Sequence, residues 1–371
     1  MVITATVWIV SMLPVAATVL PFVKSGRSWI RVWDYPRLQL AIALALCFAI
    51  QIVLLTGTAA AWLLAATAAS LIWQLWRIHP YTRLARIQVR PASHHDAAQT
   101  VGILITNVLQ TNRDPAALLD RVAAANPDVV LAVETDTWWD AQLSALSGRY
   151  PFAVRNPLDN TYGMLLFSRL ELSGVKVQFR VNPGVPSIAV RLHLRSGEMV
   201  DLHCLHPEPP RVGRDVDERD AELLIVGREA AASTRPVIVC GDLNDVAWSH
   251  STRLFQRVSG LLDPRVGRGL YSTFHAGHWF ARWPLDHVFH DAAFTLRHLQ
   301  VLDAIGSDHF PIYVQLVHDP PAARRHDVPA ADQDDQRQAT ERIAEGVGSD
   351  APPPQPSFLL TPPPIGGTQA P

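Results

Sequence analysis

The distribution of charge along the chain restricts its fold more than any other feature. Between Met1 and Trp76 the charged side chains are confined to one short segment, which separates two uncharged and apolar stretches. They are Lys24, Arg27, Arg31, Asp34 and Arg37. Uncharged stretches of this length are typical of helices that cross a bilayer and are hard to reconcile with a water-soluble fold. We therefore expect residues 1–77 to form a transmembrane region.

The number of spans follows from length. Residues 2–23 are long enough for one span and lack the basic start of a cleaved signal peptide. As a single helix, residues 38–76 would extend about 58 Å at about 1.5 Å per residue, whereas the hydrocarbon core is about 30 Å thick. Gly57 provides the natural turn, because glycine adopts the backbone angles of a tight reversal. We predict three transmembrane helices, at residues 2–23, 38–56 and 58–76.

The rest of the chain divides by composition. Residues 78–98 are expected to be a linker that keeps the following domain close to the membrane surface. In residues 99–318 apolar runs alternate with polar turns, and this length is enough for one globular domain. Residues 319–371 are rich in Pro, Ala, Gln, Asp and Gly and poor in large apolar side chains, which predicts a disordered tail.

Charge and cysteine content narrow the function classes. The whole chain carries a net charge of −2, and acidic residues slightly outnumber basic ones in the globular part, so nucleic acid is the less favoured partner. Asp215, Asp217, Glu218 and Asp220 form a charge run that is expected to be a solvated helix face. Cys47, Cys204 and Cys240 lack metal-ligand spacing and define neither a zinc site nor a disulfide framework.

Eight polar residues lie at or near the ends of predicted strands in the globular part. They are Asn107, Glu134, His206, Asp242, Asn244, Asp286, Asp308 and His309. Carboxylates, amides and imidazoles are the groups that bind hard cations and transfer protons. Each position by itself is a weak signal, because strands often end in polar residues simply to meet solvent.

Taken together, the order and identity of these motifs resemble the endonuclease/exonuclease/phosphatase superfamily, the DNase I-like fold, across residues 101–316. The strand-end Asn of that family resembles Asn107, and its metal-binding Glu resembles Glu134. Its Thr-His strand end resembles His206, although Cys204-Leu205 precedes this histidine here, so His203 stays an alternative. The motifs Gly-Asp-x-Asn, Leu-Asp-His and Ser-Asp-His supply the rest: Asp242, Asn244, Asp286, Ser307, Asp308 and His309.

The resemblance implies a fold and a chemistry. The fold is α+β, a four-layer α/β/β/α sandwich in which these residues converge at one end of the sheets, preceded here by the three transmembrane helices. Glu134 would hold Mg²⁺ or Mn²⁺, with Asp308 and Asn107 nearby, and hard oxygen ligands favour these ions over zinc. His309 would be the general base, oriented by Asp286.

The remaining roles that the resemblance implies concern water and the phosphate. Asp242 would position or deprotonate the attacking water, Asn244 would donate to the phosphoryl oxygens, and His206 would stabilise the leaving side. The division of work between His206 and His309 comes from the family and not from the residues themselves.

Three functional hypotheses follow. The favoured one is a metal-dependent phosphoesterase that is anchored in a bacterial inner membrane and acts on a phosphate ester or pyrophosphate, including one carried by a lipid. The alternatives are a membrane-tethered nuclease and a catalytically silent binding module. Similar membrane-bound relatives imply a catalytic domain outside the cytoplasm, whereas the arginines that flank the spans favour the inside by the positive-inside tendency. The oligomeric state is left open.

Overall fold

The computed structural model describes residues 2–23, 25–93, 96–211, 213 and 215–348. The helices in these residues are α1 (Val2–Val19), α2 (Ser28–Arg31), α3 (Arg37–Leu54), α4 (Thr58–Ile78), α5 (Pro115–Ala125), α6 (Thr137–Leu143), α7 (Asp217–Ala232), α8 (His250–Ser259) and α9 (Gln333–Val347). The strands are β1 (Thr100–Asn107), β2 (Val129–Val133), β3 (Phe152–Asn156), β4 (Met164–Ser168), β5 (Leu172–Gln178), β6 (Ser187–His193), β7 (Met199–Leu205), β8 (Val237–Asp242), β9 (Asp286–His290), β10 (Phe294–Val301) and β11 (Ile312–His318). Short 3-10 turns occupy Leu20–Phe22, Val32–Asp34, His79–Tyr81, Ser144–Leu146 and Pro320–Arg325.

Three N-terminal helical segments are long and apolar enough to cross a membrane, as predicted: Val2–Phe22, Arg37–Leu54 and Thr58–Tyr81. The turn between the last two contains Gly57 at φ 93°, a left-handed conformation that glycine adopts without strain. The few polar side chains within the helices pair with one another across the bundle. Gln51 donates to Thr67 at 3.0 Å and Gln74 donates to Thr18 at 2.9 Å, so these groups find hydrogen-bond partners inside the bundle.

Two mixed sheets form the middle of the following domain. The first has the strand order β10-β11-β1-β2-β4-β3 and the second β5-β6-β7-β8-β9. Only the pairs β1/β2 and β7/β8 are parallel. Alternate residues of each strand point to opposite faces, so Ile103 and Ile105 pack against residues such as Leu202 and Ile238 of the second sheet. The main core therefore lies between the sheets.

Helices cover the outer face of each sheet. Leu104 and Val130 face Leu118 of α5 and Trp139 of α6 on one side, and α7 and α8 cover the second sheet in the same way. Helix α5 begins with the Asp114 side chain accepting a hydrogen bond from the Ala116 N–H and with proline at the first helical position. The predicted four-layer α/β/β/α sandwich, of α+β class, is confirmed.

The predicted disordered tail is wrong for its first part. Helix α9 begins with a capping box at Asp332 and Asp335 and packs through Ala339 and Ile343 against α7 and α8. Arg257 of α8 binds Asp335 at 2.7 Å. The few apolar residues of this polar helix are spaced so that they lie on one face. Composition alone does not reveal this face, because it ignores the spacing of the residues. Residues 349–371 of the predicted tail lie outside the described residues.

The predicted linker, residues 78–98, packs against the globular domain. The backbone N–H of Gly267 donates to the Pro80 carbonyl at 2.8 Å, and the N–H of Ala92 donates to the Leu296 carbonyl at 2.9 Å. Residues 94 and 95 of this segment lie outside the described residues. These contacts hold the globular domain directly against the helical bundle.

Candidate active site

The eight residues predicted from the strand ends come together at one end of both sheets. Asn107 is the last residue of β1 and is paired with Val133 of the parallel strand β2, so Glu134 follows beside it. At the end of β8, Asp242 is paired with Asp286, the first residue of β9. His206 follows β7, which runs parallel to β8. Strand direction and register thus place the carboxylates at a common edge.

A chain of acid and imidazole groups, linked by one hydrogen bond and one ion pair, forms the centre of the site. Nδ1 of His309 lies 2.8 Å from Oδ2 of Asp286, and its Nε2 lies 3.5 Å from Oδ2 of Asp242. All three residues are buried. Burial lowers the pKa of His309, but Asp242 and Asp286 outweigh it and raise this pKa to about 10. In the absence of other charges the imidazole is therefore a cation at neutral pH.

This charge state changes the role that sequence reasoning assigns to His309. An imidazolium between two carboxylates can donate a proton or a hydrogen bond, whereas a general base has to be neutral. Burial raises the pKa of Asp242, which makes this carboxylate a stronger proton acceptor than an aspartate exposed to water. In this charge state His309 is suited to donate a hydrogen bond and Asp242 to accept a proton.

Asn107 holds two carboxylates in place. Its Nδ2 lies 2.8 Å from Oε1 of Glu134 and 3.1 Å from Oδ2 of Asp242, while its Oδ1 accepts from the Leu109 N–H at 2.9 Å. Because a backbone N–H can only donate, the amide oxygen has to face Leu109. Asn107 thus donates to both carboxylates through Nδ2, and its role as a metal ligand stays a prediction.

Asn244 and His206 lie on the other side of Asp242. The Asn244 N–H donates to Oδ1 of Asp242 at 3.0 Å, and its Nδ2 donates to the Pro207 carbonyl at 2.9 Å. The amide thus ties down the residue that follows His206 and has one N–H left for a phosphoryl oxygen. Nε2 of His206 is 3.8 Å from Oδ2 of Asp242. His203 instead lies 3.9 Å from Glu229, so His206 is the histidine of the site.

Two acidic residues suit a divalent cation. Burial raises the pKa of Glu134, Asp308 adds to the rise, and hydrogen bonds from Asn107 and Gln110 offset part of it. Among the described residues no Lys or Arg forms an ion pair with Glu134 or Asp308. Glu134 and Asp308 are half-buried, and carboxylates without a cationic partner are the donor set that Mg²⁺ and Mn²⁺ prefer. The residues present therefore fit a hard divalent cation, which Glu134 and Asp308 would hold.

A second group of possible ligands fits a metal less well. Asp242, Asp286 and His309 each offer one ligand atom, and these atoms lie within 4.8 Å of one another. However, Nδ1 of His309 already binds Oδ2 of Asp286, so only Nε2 of this imidazole is left for a cation, and Nε2 faces Asp242 at 3.5 Å. We therefore interpret this group as the acid-imidazole chain described above.

Sequence reasoning missed the residues that hold the catalytic loop, residues 244–248. Three of its carbonyls accept hydrogen bonds from the helical region: Asn244 from the Tyr35 hydroxyl at 2.5 Å, Ala247 from the Tyr81 hydroxyl at 2.6 Å, and Trp248 from Arg77. Asn244 itself has φ 50°, a left-handed conformation that surrounding contacts have to maintain. The loop between α1 and α3 is thus part of the site's support.

A buried ionic network lies beneath this loop. Arg219 donates to the Asn244 carbonyl at 2.9 Å and binds Asp220 at 2.8 Å, and Arg31 reaches Ser251 at 2.8 Å. Burial would raise the pKa of Asp220, but Arg219, Arg31 and Arg342 outweigh it and lower this pKa to about 2. The prediction of a solvated face is wrong for Asp220, because α7 turns this carboxylate towards the helical region. No sequence pattern signals such a pairing between distant segments.

Comparisons with known proteins agree with this architecture. Residues 104–309 match the sequence profile of the Endonuclease/Exonuclease/phosphatase family, and no curated protein matches the chain significantly. A crystal structure of D. rerio TDP2 complexed with single strand DNA product has 18% identity, a TM-score of 0.50, and coverage of 58% of this chain and 98% of that chain. At this identity the likeness concerns the fold alone.

Two further solved structures have the same level of identity. The human Nocturnin catalytic domain with bound sulfate anion is 18% identical over 59% of this chain and 94% of that chain, with a TM-score of 0.47. An endonuclease/exonuclease/phosphatase from Beutenbergia cavernae is 18% identical over 60% of this chain and 72% of that chain, with a TM-score of 0.48.

Proposed function

This chain belongs to the endonuclease/exonuclease/phosphatase family, a family of phosphoesterase-type hydrolases, and from that premise we propose a membrane-anchored enzyme. Its substrate is a phosphate ester or pyrophosphate carried by a membrane lipid, and its cofactor is Mg²⁺ or Mn²⁺. The observation that carries the proposal is the arrangement of Asp286, His309 and Asp242 beside Glu134, in which His309 is hydrogen-bonded to Asp286 and forms an ion pair with Asp242. A silent binding module would not need this set of groups.

The roles of the residues follow from their positions. A bound divalent cation supplies charge neutralisation at the phosphate when it is present. Asp242 orients and deprotonates the attacking water, because it is the carboxylate common to the contacts of Asn107, His206 and His309. His309, held by Asp286, donates to the phosphoryl oxygens, where negative charge develops. His206, whose Nε2 lies 3.8 Å from Oδ2 of Asp242, stabilises the leaving group.

Confinement to the bilayer favours a lipid substrate. The three apolar helices and the packed segment that follows them hold the catalytic residues next to the membrane. An enzyme and a substrate that share one membrane meet at a high effective concentration, which gives no advantage for a substrate free in solution. The slight excess of acidic residues also disfavours a long polyanion such as duplex DNA.

We further propose that the protein lies in a bacterial inner membrane with its catalytic domain outside the cytoplasm. Two of the flanking arginines, Arg31 and Arg37, are buried and paired with Asp34, so they are weak support for an inside orientation. A reporter enzyme that is active only after export, fused after residue 348, tests this orientation. An inactive reporter on a stably produced fusion would refute it.

The decisive measurement compares substrates on the full-length protein. The protein is reconstituted in nanodiscs with Mg²⁺ or Mn²⁺ and given a polyprenyl pyrophosphate, a phosphoinositide or plasmid DNA, and the Asp286→Asn variant serves as the control for contaminating activity. We expect release of phosphate from a lipid and no comparable cleavage of DNA. Efficient DNA cleavage with intact lipids would establish a tethered nuclease, and inactivity on all three substrates would favour a binding module.

A further inference from the structure

A short hairpin, residues 273–283, connects the catalytic residues with the helical region; we call it the aromatic hairpin. At its base the Phe274 N–H donates to the Trp283 carbonyl at 3.0 Å. The Ala276 N–H donates to the carbonyl of Asp308 at 2.7 Å, and the Phe274 ring lies 4.9 Å from the ring of His309. The base of the hairpin is therefore one wall of the site.

The tip of the hairpin presents two large apolar side chains to the outside. Trp279 is 84% exposed and Phe280 is 59% exposed, and their ring centroids are 5.8 Å apart. Rings this exposed contribute little to the folded core, and contiguous exposed apolar surface commonly marks a site of interaction with a protein or a membrane. The tip is therefore an exposed apolar surface that is suited to bind a partner.

The position of the tip relative to α3 identifies that partner. Nε2 of Gln39 donates to the Phe280 carbonyl at 2.6 Å. Gln39 lies in the first turn of α3, inside the segment Arg37–Leu54 that is long and apolar enough to cross a membrane. The tip thus lies at the level where this span begins. Trp29 and Trp33, also exposed, lie in the connection that leads into α3, and tryptophan is enriched at the boundary between hydrocarbon and head groups.

The charge of the hairpin suits the same partner. Its sequence contains no Asp or Glu, and Arg282 is its one formally charged residue. A cationic side chain next to exposed aromatic rings is favourable near anionic head groups and unfavourable for burial against a basic protein surface.

We propose that the aromatic hairpin inserts Trp279 and Phe280 into the interfacial layer of the bilayer. We also propose, on the basis of the proposed function, that the inner wall of the hairpin guides a lipid phosphate to His309 and Asp308. The substrate then reaches the site from the plane of the membrane along the hairpin. The partner of this surface is the lipid bilayer itself.

Insertion is measured with a probe on the full-length protein. The three native cysteines are buried, so a Trp279→Cys variant can be labelled at one exposed position with an environment-sensitive fluorophore. Phe152→Cys is the matched control, because Phe152 is an exposed aromatic residue paired with Ser168, at the end of the first sheet away from the site. In vesicles that contain spin-labelled lipids we expect strong quenching at position 279 and none at 152. Equal quenching at both positions would overturn the proposal.

Access is measured with the double variant Trp279→Ala/Phe280→Ala. We expect kcat/KM on the lipid phosphate to fall by about tenfold or more. The reason is that each lost aromatic ring weakens the contact of the hairpin with the bilayer. Turnover of bis-p-nitrophenyl phosphate, a soluble phosphodiester, should be unchanged, as should both activities of the Phe152→Ala control. Unchanged lipid hydrolysis by the double variant would refute the role in access.

The two proposals fail in different ways. If the probe at position 279 is quenched but the wild-type protein hydrolyses no lipid phosphate, the lipid substrate is wrong and the membrane contact stands. If the wild-type protein hydrolyses the lipid and the probe is not quenched, the aromatic hairpin proposal is wrong and the proposed function stands.

Discussion

Replacing Tyr35 by phenylalanine removes one hydrogen bond from the catalytic loop and leaves the aromatic ring in place. The lost bond is the 2.5 Å contact from the Tyr35 hydroxyl to the Asn244 carbonyl. That carbonyl still accepts from Arg219 at 2.9 Å, so it does not become an unsatisfied buried group. The Tyr35 hydroxyl also accepts a long hydrogen bond from Arg219 at 3.5 Å, but Arg219 keeps its bonds to the Asn244 carbonyl and to Asp220. The cost is then close to that of one ordinary buried hydrogen bond, about 1 kcal/mol.

The expected loss is in turnover. If the full free energy of this hydrogen bond, about 1 kcal/mol, holds Asn244 in its productive conformation, kcat on a soluble phosphodiester falls about fivefold. KM changes little. The assay uses full-length protein in nanodiscs with saturating Mg²⁺. Tyr150→Phe is the matched control, since this buried tyrosine donates to the Pro127 carbonyl at 3.0 Å on a connection remote from the catalytic loop. It should lose similar thermal stability and retain its turnover.

A double-mutant cycle separates positioning from general destabilisation. If Tyr35 acts through Asn244, adding Tyr35→Phe to an Asn244→Ala variant should lower kcat no further, because the group that it positions is already missing. An equal, additive loss in both backgrounds would refute the reasoning, and so would an unchanged kcat for Tyr35→Phe alone.

Three further predictions concern the metal and the proton chemistry. His309→Ala should lower kcat by about 10²- to 10⁴-fold with the fold intact by circular dichroism, and near-normal turnover would remove His309 from the chemistry. Glu134→Gln should raise the Mg²⁺ concentration for half-maximal activity by at least about tenfold in a metal titration, because it removes one anionic ligand; an unchanged titration curve would contradict this. In metal-free protein the raised pKa of His309 should stabilise the fold fully below pH 6.5 and lose this contribution as the pH rises through about 10. The Tm difference between wild type and His309→Gln should shrink over that range, and a constant or growing difference would contradict it.

Much of this protein could be inferred from local sequence. Hydrophobic stretches of span length predict the three N-terminal helices, because the bilayer requires long uncharged segments and leaves few alternatives. Strands with polar residues at their ends predict the catalytic set, since a strand buried on both faces is apolar until it emerges at the edge of a sheet. Asn107, Glu134 and Asp242 all follow this rule.

Other features depend on pairings that no local pattern contains. Helix α9 is polar enough to be mistaken for a disordered tail until α7 and α8 provide a surface for its few apolar residues. Asp220 is one of several acids on α7, and only its position opposite Arg219 and Arg31 makes it a buried counter-ion.

Local sequence patterns were enough to identify the polar groups of the site and the apolar helices of span length. The charge and the position of those groups follow from how the chain packs. The charge of His309 depends on two carboxylates from other strands, Asp242 and Asp286, and the support of Asn244 depends on Tyr35 in the connection between two apolar helices. A side chain's protonation and position depend on neighbours that are remote in sequence, and these neighbours are brought together only when the sheets and the helices pack.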